Sequence, residues 1–196
     1  MQNHDLEKKD QIKQAARNLF FRFGFSKTSM SDIAKQCDLA KPTLYYYYKS
    51  KEEIFDEVVI DEAQMFMNEV ESQIPPNLPA DQRLAIFFTT IYEGKKQYAE
   101  KMADLPDYLR EHSPHGHPII KKMRDLFKQK VIPMLNAGRE AGVLAFEDAQ
   151  NVAETLIFMM EFLNLDWMRH FPTAHCDAVF HTMNEIIMNG LKRRNE

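Results

Sequence analysis

The sequence has little of what catalytic and secreted proteins usually need. Of its 196 residues only two are cysteine and only six are glycine. Cys37 and Cys176 belong to no Cys-x-x-Cys pair, which leaves no disulfide framework, thiol redox motif or cysteine zinc site, and each reads as a small buried apolar residue. No Gly-rich phosphate loop occurs, nor do Gly-x-Ser-x-Gly, His-Glu-x-x-His or Glu-x-x-His. Long apolar runs are missing as well. The longest in the second half, Leu156 to Met160, falls far below the roughly 20 residues of a membrane span. The start, MQNHDLEKKDQ, has no apolar signal-peptide core. These absences predict a cytoplasmic protein with no membrane contact, no metal and no cofactor, and argue against an enzyme. Strand-period alternation and internal repeats are absent too, so the expected fold is all-α.

Positive charge is concentrated at one end. Residues 1–51 hold ten Lys/Arg against five Asp/Glu, whereas the remaining 145 residues hold fifteen against twenty-four. Such asymmetry is the electrostatic footprint of a small domain that meets a polyanion beside a larger one that does not.

The basic end also carries the most structured signal. Ser29-Met-Ser-Asp32 has capping-box spacing and predicts a helix from Met30, with Met30, Ile33, Ala34 and Cys37 inward. Asp38-Leu39-Ala40-Lys41 leaves room only for a sharp turn before Pro42, a residue tolerated only in a first helical turn. A second short helix, Lys41 to Tyr47, follows with Leu44 inward. Ser50-Lys-Glu-Glu53 then caps a third. Helix, tight turn, helix is the geometry that lays a second helix in a DNA major groove. Lys27, Lys41, Lys49 and Lys51 suit phosphates, and Thr28, Ser29, Thr43, Tyr45, Tyr46 and Tyr47 suit phosphate oxygens or base edges; Pro42 sits among them.

Here the chain closely resembles the TetR, or tetracycline-repressor-like, family of bacterial regulators. The resemblance rests on Ile12, Ala15, Ala16, Leu19, Phe20, Gly24, Thr28, Ser29, Met30, Asp32, Ile33, Ala34, Leu39, Lys41, Thr43, Leu44, Tyr45, Tyr48, Lys51, Glu53 and Ile54, in the family's order and spacing, over roughly the first quarter of the chain. The family usually has Gly in the turn and Ser or Thr before the recognition helix. This chain has Asp38 and Ala40. Asp tolerates a left-handed backbone, whereas Ala40 offers no cap, at a cost of roughly 1 kcal/mol.

The rest of the chain reads as further helices. Ile12, Ala15, Ala16, Leu19, Phe20 and Phe23 form one stripe ending at Gly24. A long helix from Lys51 to about Ser72 turns Ile54, Phe55, Val58, Val59, Met65, Phe66 and Val70 inward, and stops before Pro75-Pro76. Others are expected over 80–102, 106–112, 118–141, 148–170 and 174–192, with a kink at Pro133. Residues 1–51 are thus expected to bind DNA through a three-helix module, and residues 52–196 to form a helical ligand-binding and dimerisation domain.

The last two helices carry apolar residues on several faces, Leu156 to Met168 and Val179 to Met188, more than one core stripe needs. A homodimer through these helices is the simplest consequence, and the family resemblance implies it too. It would place two recognition helices roughly 34–36 Å apart on a palindromic operator. Twelve methionines and fourteen phenylalanines suit an adaptable apolar cavity, although most must be ordinary core. Candidates for a small, apolar or amphipathic effector are Phe66, Phe88, Thr89, Tyr92, Tyr98, Met123, Phe127, Phe158, Glu161, Phe162 and Trp167. Glu161 and Asn164 need polar partners within their apolar helix; the pocket and the dimer interface both remain open to them. The cluster Glu111-His112-Ser-Pro-His115-Gly-His117 matches no zinc spacing, so no metal site is assigned. The reading is a dimeric, ligand-responsive regulator, most simply a repressor. The alternatives are a DNA-binding architectural protein without a ligand and an all-α enzyme.

Overall fold

The computed structural model describes residues 2–101, 118–162 and 170–192. Among the described residues there are eight helices: α1 (Gln2–Phe23), α2 (Met30–Gln36), α3 (Lys41–Tyr47), α4 (Lys51–Ser72), α5 (Ala80–Lys101), α6 (Pro118–Glu140), α7 (Ala149–Phe162) and α8 (Thr173–Leu191). Extended pairing among them is limited to a single bridge, Leu144 with Lys192. The all-α expectation holds. No helix among the described residues is long and apolar enough to cross a membrane. The helix expected over 106–112 and residues 163–169 lie outside the described residues.

The chain divides into two compact units, Met1–Ala63 with Glu100–Lys121, and Gln64–Ala99 with Lys122–Glu196. In the first unit Ile12, Ala16 and Phe20 of α1, Ile33 of α2, Leu44 of α3 and Ile54 and Phe55 of α4 are all buried. Phe20, Phe25 and Phe55 form an aromatic triangle with centroids 4.7 to 5.9 Å apart. Phe23, expected inside, is half exposed. Gly24 takes a positive φ of 86°, which reverses the chain and lets Phe25 fill that place.

The second unit is organised around Leu84, Phe87, Phe88, Ile91 and Tyr92 of α5, packed with Phe127, Val131 and Leu135 of α6, Ala153, Leu156 and Met160 of α7, and Cys176 and Phe180 of α8. Phe127 meets Phe87 edge-on at 5.6 Å, and Tyr92 stacks flat on Phe180 at 4.0 Å. Both cysteines are buried and free, as expected. Met65 is another correction: it is 48% exposed, and Ile74, beyond the end of α4, is buried among the core residues.

Candidate nucleic-acid interface

The turn between α2 and α3 is built by the backbone of its own residues. Ser29 Oγ accepts the Asp32 N–H, and an Asp32 carboxylate oxygen accepts both the Ser29 N–H, at 2.9 Å, and the Ser29 hydroxyl, at 2.6 Å. Hydrogen bonds from the Ser29 hydroxyl and N–H hold the Asp32 carboxyl below its ordinary range. At the other end of α2, Leu39 N–H donates to the Ala34 carbonyl and Asp38 N–H to the Lys35 carbonyl. This Schellman pairing needs a left-handed residue between them, and Asp38 supplies it with φ 53°. Asp38 therefore stands where the family usually has Gly. Ala40 precedes α3 with no side-chain cap, and Pro42 occupies its first turn.

α3 is anchored by few residues. Leu44 and Tyr48 are fully buried, and the Tyr48 hydroxyl donates to Glu57 at 2.8 Å beneath the Lys9 ammonium, 5.0 Å from the ring centre. Burial and the Glu57 carboxylate push the Tyr48 phenol well above its usual range. The rest of the helix faces outward: Lys41, Pro42, Thr43, Tyr45 and Tyr46 are exposed, Tyr46 at 76%. Tyr47 is half buried, its ring edge-on to Tyr46 at 5.1 Å. Lys27 and Lys49 are exposed as well. The arrangement presents hydroxyls, aromatic faces and ammonium groups on a rigid short helix, which is what reading a groove requires.

Three of the residues expected at DNA have partners inside this unit. Thr28 is buried, and its hydroxyl donates to the Gly24 carbonyl at 2.8 Å. Ser29 caps α2. Lys51 Nζ donates to the Phe25 carbonyl at 2.8 Å. The cap at Ser50 differs slightly from expectation: Glu53 N–H donates to the Ser50 hydroxyl, but the Glu53 carboxylate accepts from Lys49 N–H, one residue before the cap. Sequence reasoning missed the ties between α1 and α4, where Arg17 pairs with the buried Glu62 and Lys13 with Asp61 at 2.6 Å. These pairs are 45 and 48 residues apart. No local spacing announces them.

The residues proposed for an effector are dispersed through the second unit. Phe88, Tyr92 and Phe127 are buried together, and Phe66 and Met123 are half buried. The Tyr92 hydroxyl donates to Asp177 at 2.8 Å, beside Lys96 at 2.9 Å from the same carboxylate oxygen. Thr89 is exposed and its hydroxyl donates to the Ala85 carbonyl, whereas Phe158 is 60% exposed. Glu161 receives Arg124 through both oxygens at 2.7 Å. The Tyr98 and Phe162 side chains, Asn164, Trp167 and the cluster from Glu111 to His117 lie outside the described residues. Among the described residues no group of His, Cys, Asp and Glu could hold a metal ion.

Residues 12–58 match the family described as bacterial regulatory proteins, tetR family. Over these residues, from α1 to the first part of α4, the chain carries the N-terminal region of the TetR family. An uncharacterised helix-turn-helix transcriptional regulator of Bacillus subtilis, YhgD, is 22% identical over 186 residues, covering 95% of this chain and 97% of the relative. IcaR of Staphylococcus epidermidis, negative transcriptional regulator of the biofilm operon icaADBC, is 27% identical over 110 residues, 55% of this chain and 60% of IcaR. Among solved structures, the Thermus thermophilus TetR-family repressor FadR, in complex with lauroyl-CoA, shares the fold with a TM-score of 0.73 at 19% identity, over 96% of this chain and 97% of FadR. The matched residues include α2 and α3, which form a helix-turn-helix.

Proposed function

We propose that this chain is a dimeric TetR-family repressor that binds a palindromic operator and releases it when a small apolar or amphipathic effector binds. The observation that carries the DNA reading is α3 itself. Two buried residues fix it, and Lys41, Pro42, Thr43, Tyr45 and Tyr46 are left facing solvent, with Lys27 and Lys49 at its flanks. Thr28, Ser29 and Lys51 shape the module that presents this face. Tyr47, half buried, holds the Tyr46 ring in place.

Residues 1–51 read DNA in this proposal, and residues 52–196 hold the effector and the dimer seam. Exposed Phe158 on α7 and Val179 and Ile186 on α8 support pairing through the last two helices, since large apolar side chains gain by being covered. α4 starts beside the reading helix in sequence and ends among residues of the second unit, so it is the element suited to convey an effector's differential affinity. IcaR as a negative regulator and FadR as a repressor complexed with lauroyl-CoA support the repressor and effector parts.

The test is operator selection. Purified protein is incubated with random duplex DNA, the retained fraction is sequenced, and the winner is titrated at several salt concentrations. A palindrome bound by protein dimers is the expected result. Weak, salt-sensitive binding without enrichment would overturn the reading.

A further inference from the structure

Three cations recur along one face of α1. Lys9, Lys13 and Arg17 stand four residues apart, and each meets α4 or a residue bonded to it. Lys9 lies over the ring of Tyr48, whose hydroxyl donates to Glu57 of α4, and Lys13 Nζ is 2.6 Å from Asp61. Arg17 is engaged through two nitrogens. Its Nε donates to one oxygen of Glu62 and its Nη2 to the other, at 3.2 Å. The Glu62 side chain is only 5% exposed, against 50% for Asp61, so Glu62 carries a charge withdrawn from water and satisfied by this guanidinium.

A buried ion pair of this kind adds little net stability, because desolvation offsets the attraction; what it adds is register. The apolar side chains of the unit, among them Ile12, Ala16, Val58 and Val59, are held by a non-directional force. A guanidinium that grips a carboxylate with two nitrogens accepts one geometry. Sliding α4 along α1 by one helical turn, about 5.4 Å, would strand the Glu62 charge in the core.

The place of α3 depends on that register. Tyr48, its C-terminal cap, is fully buried and donates to Glu57, little more than one turn before Glu62 on α4. Glu62 itself stands one residue before the edge of the first unit's leading segment, Met1–Ala63, so the pair grips α4 where the helix leaves that unit. We propose that Arg17 and Glu62 are positioning residues for DNA binding: their pair fixes α4 on α1 and, through Tyr48 and Glu57, sets where α3 stands, without either residue touching DNA. This rests on the operator-binding reading above and names the contact that holds its reading helix in place.

The experiment uses the full-length protein and the operator selected by wild type. Arg17→Met combined with Glu62→Leu replaces the pair by apolar side chains, and its melting temperature should equal or exceed that of wild type. Operator affinity should nevertheless fall by about tenfold, as expected when only about a tenth of the molecules hold the reading register. The slope of log affinity against log salt should stay unchanged, since no phosphate contact is removed. Arg17→Lys keeps the charge, loses the fork and should give an intermediate affinity with the fold intact. The assignment is overturned if a folded double variant, or Arg17→Lys where the double variant does not fold, binds the operator as tightly as wild type. It is overturned too if the salt slope drops by about 0.9 in Arg17→Met, which would make Arg17 a phosphate contact. Wild type that selects no operator would remove the DNA reading and this assignment together, whereas an operator bound equally by wild type and the double variant removes the assignment alone.

Discussion

The Lys51 ammonium lies 3.9 Å above the centre of the Phe25 ring while donating to the Phe25 carbonyl oxygen. The first residue of α4 thereby clasps the turn that leaves α1, and the helix-turn-helix is held between them. Lys51→Met keeps the stem and removes both interactions. It should lower unfolding stability by roughly 1 kcal/mol and leave the slope of log affinity against log salt unchanged. Chemical denaturation and salt titration of the same variant check this; a slope reduced by about one would reveal a phosphate contact instead.

Residues on the outward face of α3 should separate into two behaviours. Lys41→Ala and Lys49→Ala should weaken all sequences alike and reduce the salt slope by about 0.9 each. Tyr45→Ala and Thr43→Ala should instead change which base pairs are preferred, by about 1–3 kcal/mol at the affected position. Repeating the selection with each variant distinguishes the two, and none should move the melting temperature, because these side chains are exposed.

Gly94 lies inside α5, where alanine would ordinarily stabilise a helix by about 1 kcal/mol. Phe66 reverses the expectation. A Cβ at Gly94 would sit 2.2 and 2.4 Å from two Phe66 ring carbons, and such overpacking costs about 1–3 kcal/mol. Gly94→Ala should therefore destabilise the protein, and Phe66→Leu in the same chain should recover much of the loss, as a denaturation-based double-mutant cycle would show.

Lys95 makes stability depend on pH in a stated window. Its folded value of about 8 lies below the 10.5 expected when unfolded, so between the two the unfolded chain binds more protons and stability rises with pH. Wild type should gain stability relative to Lys95→Met as pH rises through this range. Tyr48 and Tyr92, whose phenols burial and their carboxylate partners push upward, act in the opposite sense above the ordinary tyrosine range, equally in both proteins. Urea midpoints of the pair at about pH 7 and about pH 9.5 provide the difference.

Ile186→Glu, at a position 66% exposed on α8, should convert the proposed dimer to monomer in sedimentation experiments with helicity unchanged. Phe158→Glu, on α7, should do the same. A variant that stayed dimeric would place the seam elsewhere.

Local signals carried most of the DNA-reading module. The Ser29–Asp32 cap, Pro42 in the first turn of α3 and the Ser50 cap are short-range devices, and α2, α3 and α4 begin where those residues predict. Asp38 was legible for the same reason, since its left-handed backbone follows from a turn of so few residues. Phe23 and Phe25 were less so, because Gly24 changes the direction of the chain between them and helical spacing stops at the glycine.

By itself, then, the sequence determined the all-α class, the order of helices, the basic end and the helix-turn-helix, all of which depend on contacts within a few residues or on composition. Tertiary structure alone decided which side chains those helices spend on themselves. Lys51 looks like any exposed donor until Phe25, 26 positions earlier, is brought beneath it. The Arg17–Glu62 and Tyr92–Asp177 pairs join residues 45 and 85 positions apart. Lys95 reads as an ordinary solvated lysine until α5 packs it against the Met160 carbonyl and Arg124 occupies the carboxylate of Glu161. Charge in a protein is defined by what desolvates and pairs it, and those neighbours are chosen by packing at long sequence range.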